Sequence, residues 1–95
     1  MDGAEQAIPL ITARMRVSLA QQKHERVTAQ LFDDKLVFSA PGFSRTLKLG
    51  SLLAVRAADY SVTVSTDEGD IVLSMIGHLY EDFAGKLIRA FNEAL

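Results

Sequence analysis

The chain has no cysteine, which excludes disulfides, thiolate metal sites and cysteine nucleophiles. Its two histidines, His24 and His78, stand far apart and in no ligand spacing such as H-x-x-x-H, so no metal site is expected. An excess of positive charge is also missing. Ten Lys and Arg are spread along the chain against twelve Asp and Glu, for a net charge of −2. A nucleic-acid binder needs a dense basic face to displace the counterions of phosphate, so nucleic acid is not an expected partner. Neither G-x-G-x-x-G nor G-x-x-x-x-G-K-[ST] occurs, and no cofactor is expected. The acidic start, Met1 to Gln6, and the short apolar stretch Ala7 to Ile11, interrupted by Pro9, do not make a signal peptide. No run approaches the ~20 apolar residues of a membrane-spanning helix. These absences point to a soluble, cytoplasmic protein.

What is present is the pattern of one β-rich domain. Ninety-five residues are too few for two independent cores. A chain this size buries roughly 60–65% of the surface that its unfolded form exposes, enough for a single compact core. Residues 1–11 read as an N-terminal tail and 12–95 as the domain, with Ile8, Leu10 and Ile11 available to pack over one end. From Thr12 the period is two: Ala13, Met15, Val17 and Leu19 share one parity, Thr12, Arg14, Arg16 and Ser18 the other. Gln21 to His24 break the pattern. Val27, Ala29 and Leu31 resume it, and Asp33-Asp34 marks a turn before Leu36 and Phe38.

Pro41-Gly42 is a second turn, followed by a strand from Phe43 to Leu49 in which Arg45 shares the parity of Leu47 and Leu49. Gly50-Ser51 interrupts, and Leu52 to Ala58 forms a further strand. After a turn at Asp59, Tyr60, Val62, Val64 and Thr66 alternate with Ser61, Thr63 and Ser65. Asp67-Glu68-Gly69 fits a three-residue hairpin loop with Gly69 at the position that needs a positive φ. Ile71, Leu73 and Met75 complete the partner strand.

At Gly77 the period becomes helical. Tyr80, Phe83, Leu87, Phe91 and Ala94 recur at three- and four-residue steps as one apolar stripe, with Ile88 off it by about 100°. Glu81 and Asp82 suit the positive end of the helix dipole, and Asp82 with Lys86 makes an i,i+4 pair. Gly77 or His78 is the expected N-cap, with Glu81 reaching back to it. Gly85 costs about 1 kcal/mol against alanine inside a helix, so a close approach to a strand is expected there. The chain ends within this helix pattern, and one expected setting is therefore as the opening domain of a longer polypeptide. Seven strands and then one amphipathic helix define an α+β, mostly β class: an antiparallel partial barrel closed by a C-terminal helix.

That order resembles pleckstrin-homology-like domains, in which seven antiparallel strands form two near-orthogonal sheets capped by one C-terminal helix. The resemblance covers about residues 12–95. Its most specific stretches are Asp59 to Val64 through Gly69 and Val72 to Phe83, which are similar to the last hairpin and helix start of small bacterial domains of this fold. Members of the superfold that bind phosphoinositides carry a basic pattern on the first two strands and the loop between them. The corresponding candidates for ligand or lipid contact are Arg14, Arg16, Lys23, His24 and Arg26. Glu25 interrupts the pattern, and the resemblance brings Asp67, Glu68 and Asp70 beside it, where they repel an anionic headgroup.

No catalytic set assembles. His78 and Glu81 lack a partnered nucleophile, since the nearest hydroxyl, Ser74, lies beyond Gly77, and a small hydrolase centred on them is the least favoured reading. The acidic pairs at 33–34 and 67–70 are turn formers rather than ligands of a hard cation. Phe43 after its turn folds back on the core more readily than it faces a partner. The expected function is therefore a non-catalytic intracellular module that binds a protein or peptide, or equally a copy of itself; the resemblance implies that such a segment adds to an exposed strand edge beside the helix. The alternative is a membrane-surface adaptor using Arg14, Arg16, Lys23 and Arg26 on anionic lipid.

Overall fold

The computed structural model describes residues 8–19 and 22–95. Seven strands precede one helix: β1 (Ile11–Leu19), β2 (Gln22–Leu31), β3 (Lys35–Ala40), β4 (Phe43–Lys48), β5 (Ala54–Ala58), β6 (Ser61–Thr66), β7 (Gly69–Ser74) and α1 (Tyr80–Ala94). The sheet order is β4-β3-β2-β1-β7-β6-β5, with every neighbour antiparallel. β1 pairs with β2 along its length and with β7 from Arg16 to Leu19. The two half-sheets therefore share β1 and curl round one core as a half-barrel, the architecture that the alternation and the closing helix predict.

The apolar parity of each strand faces inward. Met15, Val17, Val27, Phe38, Val62 and Leu73 are fully or almost fully buried, and among the described residues no charged or polar side chain is buried with them. The helix plugs one end with Phe83, Ala84, Leu87, Ala90 and Phe91. Tyr80 and Ala94, at the ends of the expected stripe, are half-buried. A helix of this length is marginal in isolation. Burial of Phe83 and Leu87, at roughly 1.5–3 kcal/mol each, supplies what propensity does not.

Local departures have physical causes. The pattern break before Val27 is a β-bulge inside a continuous β2: Met15 opposes Val27 and Val17 opposes His24, with Arg26 at φ +56° absorbing the extra residue. β7 stops at Ser74, because Met75 takes φ +58° and swings outward to 70% exposure while Ile76 enters the core. Tyr60 belongs to the turn rather than to β6 and is 76% exposed. The β6–β7 connection is the two residues Asp67-Glu68, with Gly69 at φ +123° paired to Thr66.

At the helix start a short 3₁₀ turn, Gly77–Leu79, runs directly into α1, and neither element has a side-chain cap. Glu81 therefore makes no capping box. Gly85 approaches nothing: it is exposed, and a Cβ there would meet no atom within 4 Å. Among the described residues the ion pairs are Arg16–Glu25 and Arg45–Glu68, so Asp82 and Lys86 do not close theirs.

Candidate functional site

The end of the half-barrel away from the helix carries the β3–β4 and β6–β7 turns and the facing ends of β1 and β2. His24 points into it, because it stands opposite the buried Val17. Its ring stacks on Phe43 with centroids 4.0 Å apart and planes at 13°, so Phe43 does fold back. His24 Nε2 is buried and meets no hydrogen-bond partner among the described residues. Arg45, opposite the buried Phe38, reaches across this mouth to Glu68, Nη2 to Oε1 at 3.0 Å. Glu68 is held in the β6–β7 turn, where its N–H donates to Thr66 Oγ1 at 3.1 Å and the Thr66 hydroxyl donates to the Gly69 carbonyl at 2.8 Å. An aromatic stack and an ion pair thus occupy the mouth.

The other four sequence candidates lie elsewhere. Arg14 opposes Thr28, Lys23 opposes Ser18 and Arg16 opposes Ser74, which places all three on the outer face of the sheet. Arg26 is exposed at the bulge. Arg16 Nε lies 2.8 Å from Glu25 Oε2 without its N–H aimed at that oxygen, a Coulombic contact rather than a hydrogen bond. At such exposure it contributes at most about 1 kcal/mol. The hairpin therefore gathers Arg14, Arg16 and Lys23 on one face and turns His24 away from them.

The sheet has two free edges, and they differ. β4 carries Arg45 and Lys48 and follows Pro41, the residues that discourage edge pairing. β5 reads Ala54-Val55-Arg56-Ala57-Ala58, three small side chains and one cation. The β5–β6 turn has positive φ at both central residues, Asp59 (+54°) and Tyr60 (+61°), which is type I′ geometry. Such a turn makes Ala58–Ser61 a hydrogen-bonded pair and Ala57–Val62 the next, non-hydrogen-bonded pair. Ala57 and Val55 consequently direct their N–H and C=O groups away from β6, along the open edge.

α1 lies beside that edge. The Tyr80 ring sits 5.4 Å from Tyr60 at one end, and a Cβ on Gly50 would be 3.7 Å from the Ala94 carbonyl at the other, so helix and β5 run antiparallel. One flank of the helix, Lys86, Arg89, Ala90 and Glu93, overlooks Leu10 and Asp33. At 100° per residue the opposite flank, Ala84 and Ile88, turns to β5. Ala57 faces the same way as the buried Val62 and is nonetheless exposed, so α1 does not cover that part of the strand. Between the β5–β6 turn and the segment that follows β7, an open cleft of about 550 Å³ is lined by Asp59, Tyr60, Ser61, Ser74, Met75, Ile76 and Gly77.

Among the described residues no catalytic constellation appears. Ser74 is on the outer face opposite Arg16, while His78 and Glu81 are exposed and unbonded to each other among the described residues. No group of three or more His, Asp or Glu there is placed to hold a metal ion, and no helix is long and apolar enough to cross a membrane.

No family model and no curated protein matches the chain. Solved structures do match. The N-terminal PH domain of human ARAP2 superposes with a TM-score of 0.63 at 15% identity, over 90% of this chain and 77% of that one. Autoinhibited Vav1 gives a TM-score of 0.58 at 17% identity, over 93% of this chain but only 18% of its own length. The fold is therefore pleckstrin-homology-like, as the strand order and closing helix imply.

Sequence reasoning missed the cleft because Tyr60 and Met75 continue the apolar parity of their strands. Asp59, a residue that tolerates left-handed dihedrals, is the one local signal that Tyr60 belongs to a turn.

Proposed function

We propose that the chain is a non-catalytic binding module that takes up an extended peptide as an added strand on the free edge of β5. The observation that carries this reading is the unguarded edge itself: outward-facing backbone groups at Val55 and Ala57, with α1 packed beside the strand. Main-chain hydrogen bonds would supply affinity, and alternate side chains selectivity. Arg56, on the outer face opposite Thr63, sits at the middle of the strand. An incoming acidic residue opposite it gains roughly 0.2–1 kcal/mol. A second copy paired symmetrically about the strand centre would instead set Arg56 against its own counterpart, so a peptide from another protein is favoured over self-pairing. A bacterial source, which the sequence resemblance implies, and a cytoplasmic location, which a chain without cysteine suits, complete the proposal.

Selection from a phage-displayed library of random dodecapeptides tests the reading. Ala57→Pro removes one edge donor that β6 does not use and sets a ring in the path of the incoming strand. Selected peptides should bind this variant at least tenfold more weakly while its circular dichroism stays that of the parent. Equal affinity for both proteins would end the β5 reading.

The gathering of Arg14, Arg16 and Lys23 on one face, with Arg26 at the bulge, supports a second reading, adsorption to an anionic membrane. Sedimentation with phosphatidylserine vesicles at low salt, abolished by Lys23→Glu with Arg26→Glu, would put that reading first.

A further inference from the structure

Every pair in this sheet is antiparallel, and the same pairing on the open edge of β5 fixes how an added strand presents its side chains. Val55 and Ala57 send their N–H and C=O groups outward, so they make the hydrogen-bonded pairs with the new strand. Arg56 between them then stands in a non-hydrogen-bonded pair, whose Cα–Cα separation is the shorter one, ~4.5 Å against ~5.5 Å. The residue opposite Arg56 shares its outer face, and the residues before and after it point inward.

The two faces differ in chemistry. Ala57 is exposed and Val55 half-buried, both on the side of the sheet that carries α1. The helix passes β5 with Glu81, Ala84 and Ile88, which recur at steps of three and four residues and so share one side of it. Ile88, at mid-length of α1, is half-buried, and Ala57 and Ala84 carry only methyl groups. The inner side of the edge is thus apolar, small and partly uncovered. Glu81 is the one charge among these residues, and it opposes an acid on this side. The outer side is governed by Arg56, which is exposed and opposite Thr63.

We infer that the peptide taken up by β5 carries an acid between two large apolar residues, the acid against Arg56 on the outer face and the apolar pair inward beside Val55, Ala57 and Ile88. The inference rests on the β5 reading and specifies its ligand. Large apolar side chains at the inner positions remove water from Ala57 and Ile88 and meet only a methyl group at Ala57. An acid at those positions would face Glu81, and a base in the middle would face Arg56. The selectivity is therefore local: three consecutive residues, apolar, acidic, apolar, read by one edge strand and one side of a helix.

The random-dodecapeptide selection tests this when it is run in parallel on the parent protein, Ala57→Pro, Ala57→Lys and Arg56→Glu. Ala57 and Arg56 are exposed, so the lysine and glutamate variants should fold as the parent does, which circular dichroism checks. Expected from the parent is an acid flanked on both sides by a large aliphatic or aromatic residue. Arg56→Glu should exchange the central acid for a base and leave the flanks apolar. Ala57→Lys should lose the apolar preference at the one position that faces it and keep the central acid. In a synthetic peptide of the selected sequence, alanine at a flank should weaken binding to the parent roughly tenfold. The amide in place of the central acid should weaken it roughly 1.5- to 5-fold, a difference that 1 M salt removes.

Peptides that lose their binding on Ala57→Pro but lack this pattern, or that keep their acid on Arg56→Glu, would overturn the inference and leave the strand reading standing. Peptides that bind Ala57→Pro as well as they bind the parent remove the strand reading and the inference with it. No enriched peptide at all overturns both. Amide signals of Val55 and Ala57 that move with protein concentration alone would make a second copy the occupant and overturn the peptide assignment.

Discussion

Gly85→Ala should stabilise this protein. Gly85 lies in the interior of α1, on its solvent face, and an added Cβ there would meet no atom within 4 Å. It is not among the glycines with positive φ, so alanine fits the backbone without strain. The glycine therefore only enlarges the conformational entropy lost on folding and lowers helix propensity, which together cost roughly 0.5–1 kcal/mol. For a domain of this size about 1 kcal/mol corresponds to ~4–8 °C in melting temperature. The gain expected for Gly85→Ala is thus ~2–8 °C, read by the far-ultraviolet circular dichroism of parent and variant under identical conditions. Urea titration should show a higher midpoint with an unchanged slope, since no apolar surface is added to the core. A melting temperature equal to or below that of the parent would mean that something does pack against Gly85, and it would refute the placement of that helix face in solvent. Peptide binding should be unaffected, because Gly85 is on neither the edge of β5 nor the cleft.

Other outcomes follow from the same packing. Phe83→Ala or Leu87→Ala empties the centre of the plug and should cost about 2–5 kcal/mol, most of the stability of a domain this small, leaving a broad or absent unfolding transition. Arg45→Ala or Glu68→Ala should lower stability by no more than about 1 kcal/mol, because Glu68 is 74% exposed, and 1 M salt should erase the difference in urea midpoint. His24→Leu removes a buried nitrogen that has no partner and keeps an apolar face for Phe43; unfolding free energy should not fall by more than about 1 kcal/mol, and a larger loss would mean that Nε2 is bonded in solution.

Much of this molecule is legible in local order along the chain. The alternation of Met15 with Val17 and of Val62 with Val64, and the three- and four-residue steps from Phe83 to Phe91, report which side of a strand or helix is apolar. That property is set within one element, and burial follows it almost everywhere. The turns at Asp33-Asp34 and Pro41-Gly42 are local in the same sense, since they depend on dihedrals that those residues favour.

Tertiary structure alone decided the rest. Arg16 meets Ser74 and Arg45 meets Glu68 only because β1 joins the two half-sheets and the curl carries the β6–β7 turn across the mouth. Neither contact has any trace in the spacing of the residues concerned. Tyr60 and Met75 carry the apolar parity of core residues, yet the backbone reverses at each and leaves them in solvent. His24 looked like part of a basic cluster until a one-residue bulge, which inverts every side chain beyond it, turned it inward. Periodicity states which face of an element seeks company; whether a neighbour arrives there depends on where the other strands run. That is also why the open edge of β5 could not be read from Ala54-Val55-Arg56-Ala57-Ala58 itself: an edge is defined by the strand that is missing beside it.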